Sequence, residues 1–336
     1  MWKTHRPHVI IAKFPRNATC AVTTSWDDND KDNMKIASVL DSFGLKGTFY
    51  IDFSDAKEHL SDSQIRELSG KHEVGSHTWS HADMRSCDES KIQSELTESR
   101  KVLEDTTGDR IFGLAYPYGH HTYVAGKIAK ECGYIFARTT ELGHVNFPPP
   151  DHYSWGVSYY ALKRSGLPKK LISRHTISRT ALVYLFNMTS KSSDLALKLL
   201  EKAMLREGVW HIYGHADEVI QSVHNEELIR ICRHVAGQKH VWYTTNSNLF
   251  LNEIVKTRVS IRETQHDSKS VFTVTVVPPR EPYLKNAPVP LRLLKPTGWG
   301  ANFQFEVKSK SCEVGRSSEH VWIDLFDDEA ELEVAP

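Results

Sequence analysis

From Thr19 to about Ile254, short runs of β-branched and aromatic residues alternate with segments whose apolar positions recur at helical spacing. Ala21-Val22-Thr23-Thr24-Ser25-Trp26 predicts a strand running into Asp27-Asp28. Met34, Ile36, Ala37, Val39, Leu40 and Phe43 then follow a helical pattern, with Gly44 at the stop position. Gly47-Thr48-Phe49-Tyr50-Ile51 predicts the next strand, Ser61-x-x-Gln64 a capped short helix, and Val74-Gly75-Ser76-His77 a third strand leaving into a loop. A helix over about Asp88–Asp105, a strand at Ile111–Ala115, a helix at Ser193–Arg206 and a strand at Val209–Tyr213 continue the series. A helix near Asn225–Ala236, a strand at Val241–Tyr243 and a helix near Asn246–Val255 complete it. This alternation is the signature of helices packed around a largely parallel sheet.

After Lys256 the period changes. Val259–Ile261, Val271–Val277, Val289–Leu294, Phe303–Val307, Val321–Leu325 and Leu332–Val334 are short alternating runs between Pro, Gly and Asn turns. The reading is an α/β domain over residues 1–256 followed by an accessory, sandwich-like β domain over 257–336.

Composition narrows the classes. With 40% hydrophobic and 25% charged residues the 336-residue chain is a folding one. Lys+Arg and Asp+Glu balance at 42 each, which removes the basic excess that marks a nucleic-acid partner. No apolar run approaches the ~18–20 residues of a membrane span. Val9-Ile10-Ile11-Ala12 is too short for a signal-peptide core, so the chain as given is expected in the cytoplasm, with secretion after loss of a leader as the alternative. Cysteines 20, 87, 132, 232 and 312 are scattered and never form C-x-x-C, so they read as free thiols.

The 18 histidines carry the chemistry further. His77-Thr78-Trp79-Ser80-His81 has an H-x-x-x-H spacing that can bring two imidazoles to one metal ion, and it follows a predicted strand. Asp27-Asp28 follows another. In parallel α/β architectures strand C-termini converge on one face, so these clusters, Tyr116–Tyr118 and His215 are expected on a common rim. Two histidines and one carboxylate leave a coordination position for water, as in catalytic zinc sites, and the second carboxylate could serve as base. The plain alternative for Asp-Asp-Asn-Asp is a turn capping the next helix.

Taken together, Ser25-Trp26-Asp27-Asp28-Asn29, the His77–His81 motif, Ala115-Tyr116-Pro117-Tyr118-Gly119 and Ile212-Tyr213-Gly214-His215 resemble, in order and spacing, the polysaccharide deacetylase family of NodB-like carbohydrate esterases. The resemblance spans about residues 18–255. It implies a distorted (β/α) barrel and a hydrolase that removes acetyl groups, chiefly N-acetyl, from saccharides. It also implies one divalent metal, zinc first, with cobalt, nickel or iron also compatible, held by Asp28, His77 and His81. On the same basis Asp27 is the expected catalytic base, His215 the general acid, and the Tyr118 backbone N–H an oxyanion donor. Tyr116 and Pro117 match the groove wall, and Trp79 and Trp155 are expected to meet sugar rings, as Tyr153 could; core packing is the alternative for each of these aromatics. Thr78 is expected to brace the histidine loop.

Two departures stand out. Many family members carry an arginine, paired with the catalytic Asp, where this chain has Ala115, which leaves His120 or His121 as substitutes. The carboxylate that orients the general acid is also not evident, with Asp151 and Asp217 as candidates. Outside the motifs, residues 152–193 contain no Asp or Glu but hold Lys163, Arg164, Lys169, Lys170, Arg174, Arg179 and Lys191; a plain surface, interface or mobile loop is one reading of this charge pattern, and steering of an anionic substrate is the other. The competing functions are a same-fold hydrolase of cyclic amides and a carbohydrate-binding pseudoenzyme.

Overall fold

The computed structural model describes residues 7–54, 59–161, 192–220, 224–266, 269–277, 284, 287–294, 304–316 and 320–335. The seven cations between residues 163 and 191 lie outside the described residues. Two compact units are present, one of Cys20–Ser247 and the other of Met1–Thr19 with Asn248–Pro336.

The N-terminal strand β1 is His8–Ile11. In the larger unit β2 (Cys20–Asp27), β3 (Gly47–Ile51), β4 (Glu73–Ser76), β5 (Gly113–Ala115), β6 (Phe136–Arg138), β7 (Tyr159–Tyr160), β8 (Val209–His215) and β9 (Val241–Tyr243) form one parallel sheet. Its order is β6-β5-β4-β3-β2-β8-β7, with β9 paired to the start of β2. The sheet is a curled half-barrel, and a single parallel bridge between Arg138 and Trp155 ties its β6 edge to the segment before β7. β2 is central and buried along its whole length, which is why it reads as a continuous run and not as an alternation. Helices α1 (Asn33–Ser42), α2 (Asp62–Ser69), α3 (Glu89–Thr107) and α4 (Tyr123–Glu131) pack apolar positions such as Leu40, Ile65, Leu96 and Ile128 into the core shared with Trp26, Phe49 and Leu114. The Ser61–Gln64 capping box forms as the sequence predicts.

The smaller unit contains β1 together with β10 (Val259–His266), β11 (Lys269–Val276), β12 (Val289–Leu294), β13 (Gln304–Lys308), β14 (Cys312–Arg316), β15 (His320–Leu325) and β16 (Glu329–Ala335). They make two antiparallel four-stranded sheets, β1-β12-β15-β14 and β10-β11-β16-β13. Phe272, Val274 and Val276 alternate inward in β11, as do Leu291 and Leu293 in β12 and Ile323 and Leu325 in β15, giving each sheet one buried face. A boundary after Lys256 leaves the N terminus with the barrel, whereas His8 to Ile11 pair with Leu294 to Leu291 and so belong to the β unit. No helix among the described residues is long and apolar enough to cross a membrane.

Candidate active site

Register sets the height of the first groups. Asp27, at the end of β2, pairs with Tyr50 on β3 and with His215 on β8, so Asp27 and His215 leave the sheet side by side. Ser76 of β4 pairs with Ile51 and Leu114, which brings His77 to the same rim. Four non-glycine residues here have left-handed backbones: Asp28 (φ 72°), Thr78 (φ 69°), His81 (φ 55°) and Tyr118 (φ 61°). Such conformations cost about 1–3 kcal/mol each and persist only where surroundings enforce them. The enforcing contacts are specific. Asn33 Nδ2 donates to the Asp28 carbonyl (2.9 Å), the Ala82 N–H donates to Thr78 Oγ1 (3.2 Å), and Glu95 of α3 accepts the Ser80 N–H (2.7 Å) and O–H (2.6 Å). Burial alone would raise the Glu95 carboxyl, but hydrogen bonds from Lys91 and Ser80 outweigh it and hold it below the usual range. Gly119 (φ 71°) follows, where a Cβ would fall 2.2 Å from Thr140 Oγ1.

Asp28, His77 and His81 offer ligand atoms that all lie within 4.8 Å of one another. Asp28 Oδ1 is 3.6 Å from His77 Nε2 and 3.4 Å from His81 Nε2. These spacings exceed a hydrogen bond and match the ~3.3–3.6 Å edges between ligands that each sit about 2.0–2.2 Å from one tetrahedral ion. His77 Nδ1–H donates to the Ala115 carbonyl (2.8 Å), which fixes the tautomer and leaves Nε2 as the donor toward that centre. Burial, helped by His77, lowers the pKa of His81 and favours its neutral, ligating form. The donor set therefore fits a divalent cation.

The partner of Asp27 is Arg138, whose Nη2 donates to Asp27 Oδ1. Neither histidine proposed for this role supplies it: His120 Nδ1 meets Asp83 Oδ2 at 3.0 Å, and His121 stacks on Tyr116 at 5.3 Å. Arg138 is wholly buried and lies over the rings of Tyr50 (5.2 Å) and Tyr213 (4.9 Å). It is also the β6 residue registered directly opposite Ala115 of β5. The guanidinium absent at position 115 thus comes from the next strand at the same height. The sequence signal was a lone cation ending an otherwise apolar three-residue strand, too short for periodicity to reveal.

His215 Nδ1 lies 3.1 Å from the Tyr160 hydroxyl, whose proton goes to Glu218 Oε2 at 2.7 Å. Of the carboxylates considered for this place, Asp151 accepts the Tyr153 N–H (2.8 Å) and Asp217 the Glu218 N–H (2.9 Å). Gly214 lets the strand approach Trp26 and Ala161, where a Cβ would be 3.2 and 3.1 Å away, so it is a close-packing glycine. Tyr118 is 59% exposed, its ring edge-on to His81 at 4.8 Å. Its N–H is used by neither turn hydrogen bond of the segment, which run from Gly119 to Tyr116 and from His120 to Pro117.

Burial corrects two expected groove-wall side chains, Tyr116 and Pro117, and one expected sugar contact, Trp155. Tyr116 is fully buried and donates to the Tyr153 carbonyl (3.2 Å), Pro117 is buried, and Trp155 is 3% exposed and stacked on His211 at 4.4 Å. His211 covers a face of the Trp155 ring, and Phe136 and Phe147 meet it edge-to-face, so the indole is packed in the core and not open to a sugar. Trp79 remains partly exposed, stacked on Phe53 at 4.8 Å.

Comparison with known proteins agrees with the motif resemblance. The polysaccharide deacetylase family model matches residues 16–137. The chain is 29% identical over 140 residues to YxkH of Bacillus subtilis (strain 168), a protein named as a polysaccharide deacetylase, covering 40% of this chain and 50% of that one. It is 31% identical over 87 residues to a chitin deacetylase of Pestalotiopsis, covering 25% and 29%. The chain thus spans half or less of the length of these curated relatives. A solved Mycobacterium smegmatis structure named as a polysaccharide deacetylase superposes with a TM-score of 0.55 at 18% identity, covering 71% of this chain and 92% of that one, which shows a shared fold.

Proposed function

We propose that this protein is a metal-dependent hydrolase that removes an acetyl group, chiefly N-acetyl, from a saccharide. The observation that supports this most is the grouping of Asp28, His77 and His81 beside an Asp27–Arg138 pair on a rim shared with His215. A divalent cation held by Asp28, His77 and His81, zinc by preference, would polarise the acetyl carbonyl and acidify its bound water. Asp27, oriented and charge-balanced by Arg138, accepts the proton of the attacking water. The Tyr118 N–H donates to the oxygen that gains charge. His215 protonates the leaving nitrogen, so the C–N electron pair departs on a neutral amine. The family-model match ends before His215, whose proposed role is supported by the Ile212–His215 motif and by its register beside Asp27.

The test is acetate release from N-acetylglucosamine oligomers, peptidoglycan fragments and acetylated nucleotide-sugars, with and without added zinc. Zinc-stimulated release from any of these is expected. Turnover of a cyclic imide with every acetylated substrate inert would replace the reading with amide-ring hydrolysis, and saccharide binding without turnover would make the protein a binding module.

A further inference from the structure

We infer that Tyr160 and Glu218 form a two-residue relay that positions His215 and fixes which of its nitrogens moves a proton. The inference rests on the reading of His215 as general acid and names the groups that make it one. His215 Nδ1 and Glu218 Oε2 are 3.9 Å apart, too far for a direct hydrogen bond, and the Tyr160 hydroxyl stands between them at 3.1 and 2.7 Å. A phenol has one proton to give. Glu218 takes it, so the Tyr160 oxygen faces His215 as an acceptor, and His215 must carry its proton on Nδ1.

Nε2 is then the atom left to exchange protons. In the charged ring Nε2–H donates to the leaving nitrogen, the C–N bond breaks with its pair on that nitrogen, and His215 relaxes to the neutral Nδ1–H tautomer that Tyr160 already accepts. No rearrangement of the relay accompanies the transfer, which is the preorganisation that a general acid needs.

The fold holds the relay from two sides. Tyr160 ends β7, pairs in register with Tyr213, and stacks on that ring at 4.6 Å. Glu218 lies in the short helix Ala216–Ile220 that follows His215 directly, so one turn of chain carries both the histidine and the carboxylate. The tyrosine strand is two residues long and the carboxylate is three residues past the histidine, an arrangement without a linear motif.

The experiment compares Tyr160→Phe, Glu218→Gln, the double variant and His215→Ala in the 336-residue chain with zinc. Two substrates are used: an N-acetylglucosamine oligomer, whose amine must be protonated to leave, and 4-nitrophenyl acetate, whose phenolate leaves unaided. Each single relay variant should lose about ten-fold or more of kcat on the oligomer, part of the ~10²–10⁴ that a general acid supplies, with KM and aryl-ester turnover little changed. The double variant should lose no more than Tyr160→Phe alone, since the links act in series. Equal losses on both substrates, or none on the oligomer, would overturn the relay. If His215→Ala is itself indifferent to the leaving group, the general-acid reading fails instead. Nitrogen-15 NMR of labelled histidine, with His215 assigned by its loss in His215→Asn, decides the matter without turnover. A neutral Nδ1–H tautomer that becomes mixed in Tyr160→Phe is expected, and an Nε2–H tautomer in the parent protein would refute the proposal.

Discussion

At the scale of single residues, the Asp27–Arg138 pair governs the site. Both side chains are buried, and the nearby Tyr50 and His211 do not share their charge: burial raises Tyr50 well above its ordinary pKa, and burial with Arg138 lowers His211 well below its own. Arg138 is therefore the cation that balances Asp27, and removing it strands a buried carboxylate. Arg138→Ala should cost about 3–5 kcal/mol of stability in denaturant titrations, the range for breaking a buried ion pair. Arg138→Lys keeps the charge but loses the planar fork and the stacking on two rings, so it should fold while turning over at least about ten-fold more slowly. A lysine variant with full activity would reduce the arginine to a counter-charge. The neighbouring carboxylates divide differently: Asp27→Asn should retain zinc in equilibrium dialysis and lose ~10²-fold or more in turnover, whereas Asp28→Asn should lose zinc. Equal zinc loss in both would mean that their roles are exchanged.

At the scale of elements, the histidine loop is anchored by α3 through Glu95, which accepts two hydrogen bonds from Ser80, one residue before His81. Glu95→Ala frees that loop, and zinc affinity by competition with a chelator should fall about 10–100-fold, as for other residues that support metal ligands. In β8, His211 is 1% exposed, with Nε2 2.9 Å from Ser25 Oγ. Its folded-state pKa lies below the unfolded value of about 6.5, so the unfolded chain binds more protons beneath that pH. Its contribution is complete above about pH 6.5 and is lost as pH falls, by up to about 1.4 kcal/mol per pH unit, and buried His72 acts in the same direction. His211→Gln should flatten the stability profile between about pH 6.5 and 5. These elements also mark the limit of sequence reading. Strands β2, β3, β5 and β8 announce themselves through long apolar runs or the polar clusters at their ends, and the groups at those ends could be named. β6 and β7 have three and two residues, carry no period, and hold Arg138 and Tyr160. For Trp155 sequence leaves core packing and sugar contact open, because an aromatic before a strand looks the same in either case, and burial selects core packing.

At the scale of the molecule, the first and last parts of the chain share one unit, because β1 is the edge strand of a sheet made otherwise of residues beyond 288. Deleting residues 1–12 should therefore lower the thermal transition of the β unit and leave zinc titration of the barrel unchanged; a shift in zinc affinity alone would reverse that assignment. The whole chain is also electrically uneven. Its formal charge is zero, yet seven cations and no acid fall between His152 and Ser193, in the stretch joining the Tyr160 strand to the helix Ser192–Leu205. Solubility does not demand such a concentration in a neutral chain, and a local positive field raises the encounter rate with anions by ~10–10³-fold. Such a field would favour an anionic acetylated saccharide, bearing phosphate or uronate, over a neutral one. Reversing two of these charges, Lys169→Glu with Lys170→Glu, should lower kcat/KM for such a substrate by roughly ten-fold at low salt. The same change should flatten its salt dependence, since the field it removes is the one that ions screen within about 10 Å at 0.1 M. A neutral N-acetylglucosamine oligomer should be turned over as before. A loss that is equal for both substrates would assign the stretch to folding or groove shape, and no loss for either would remove it from substrate capture.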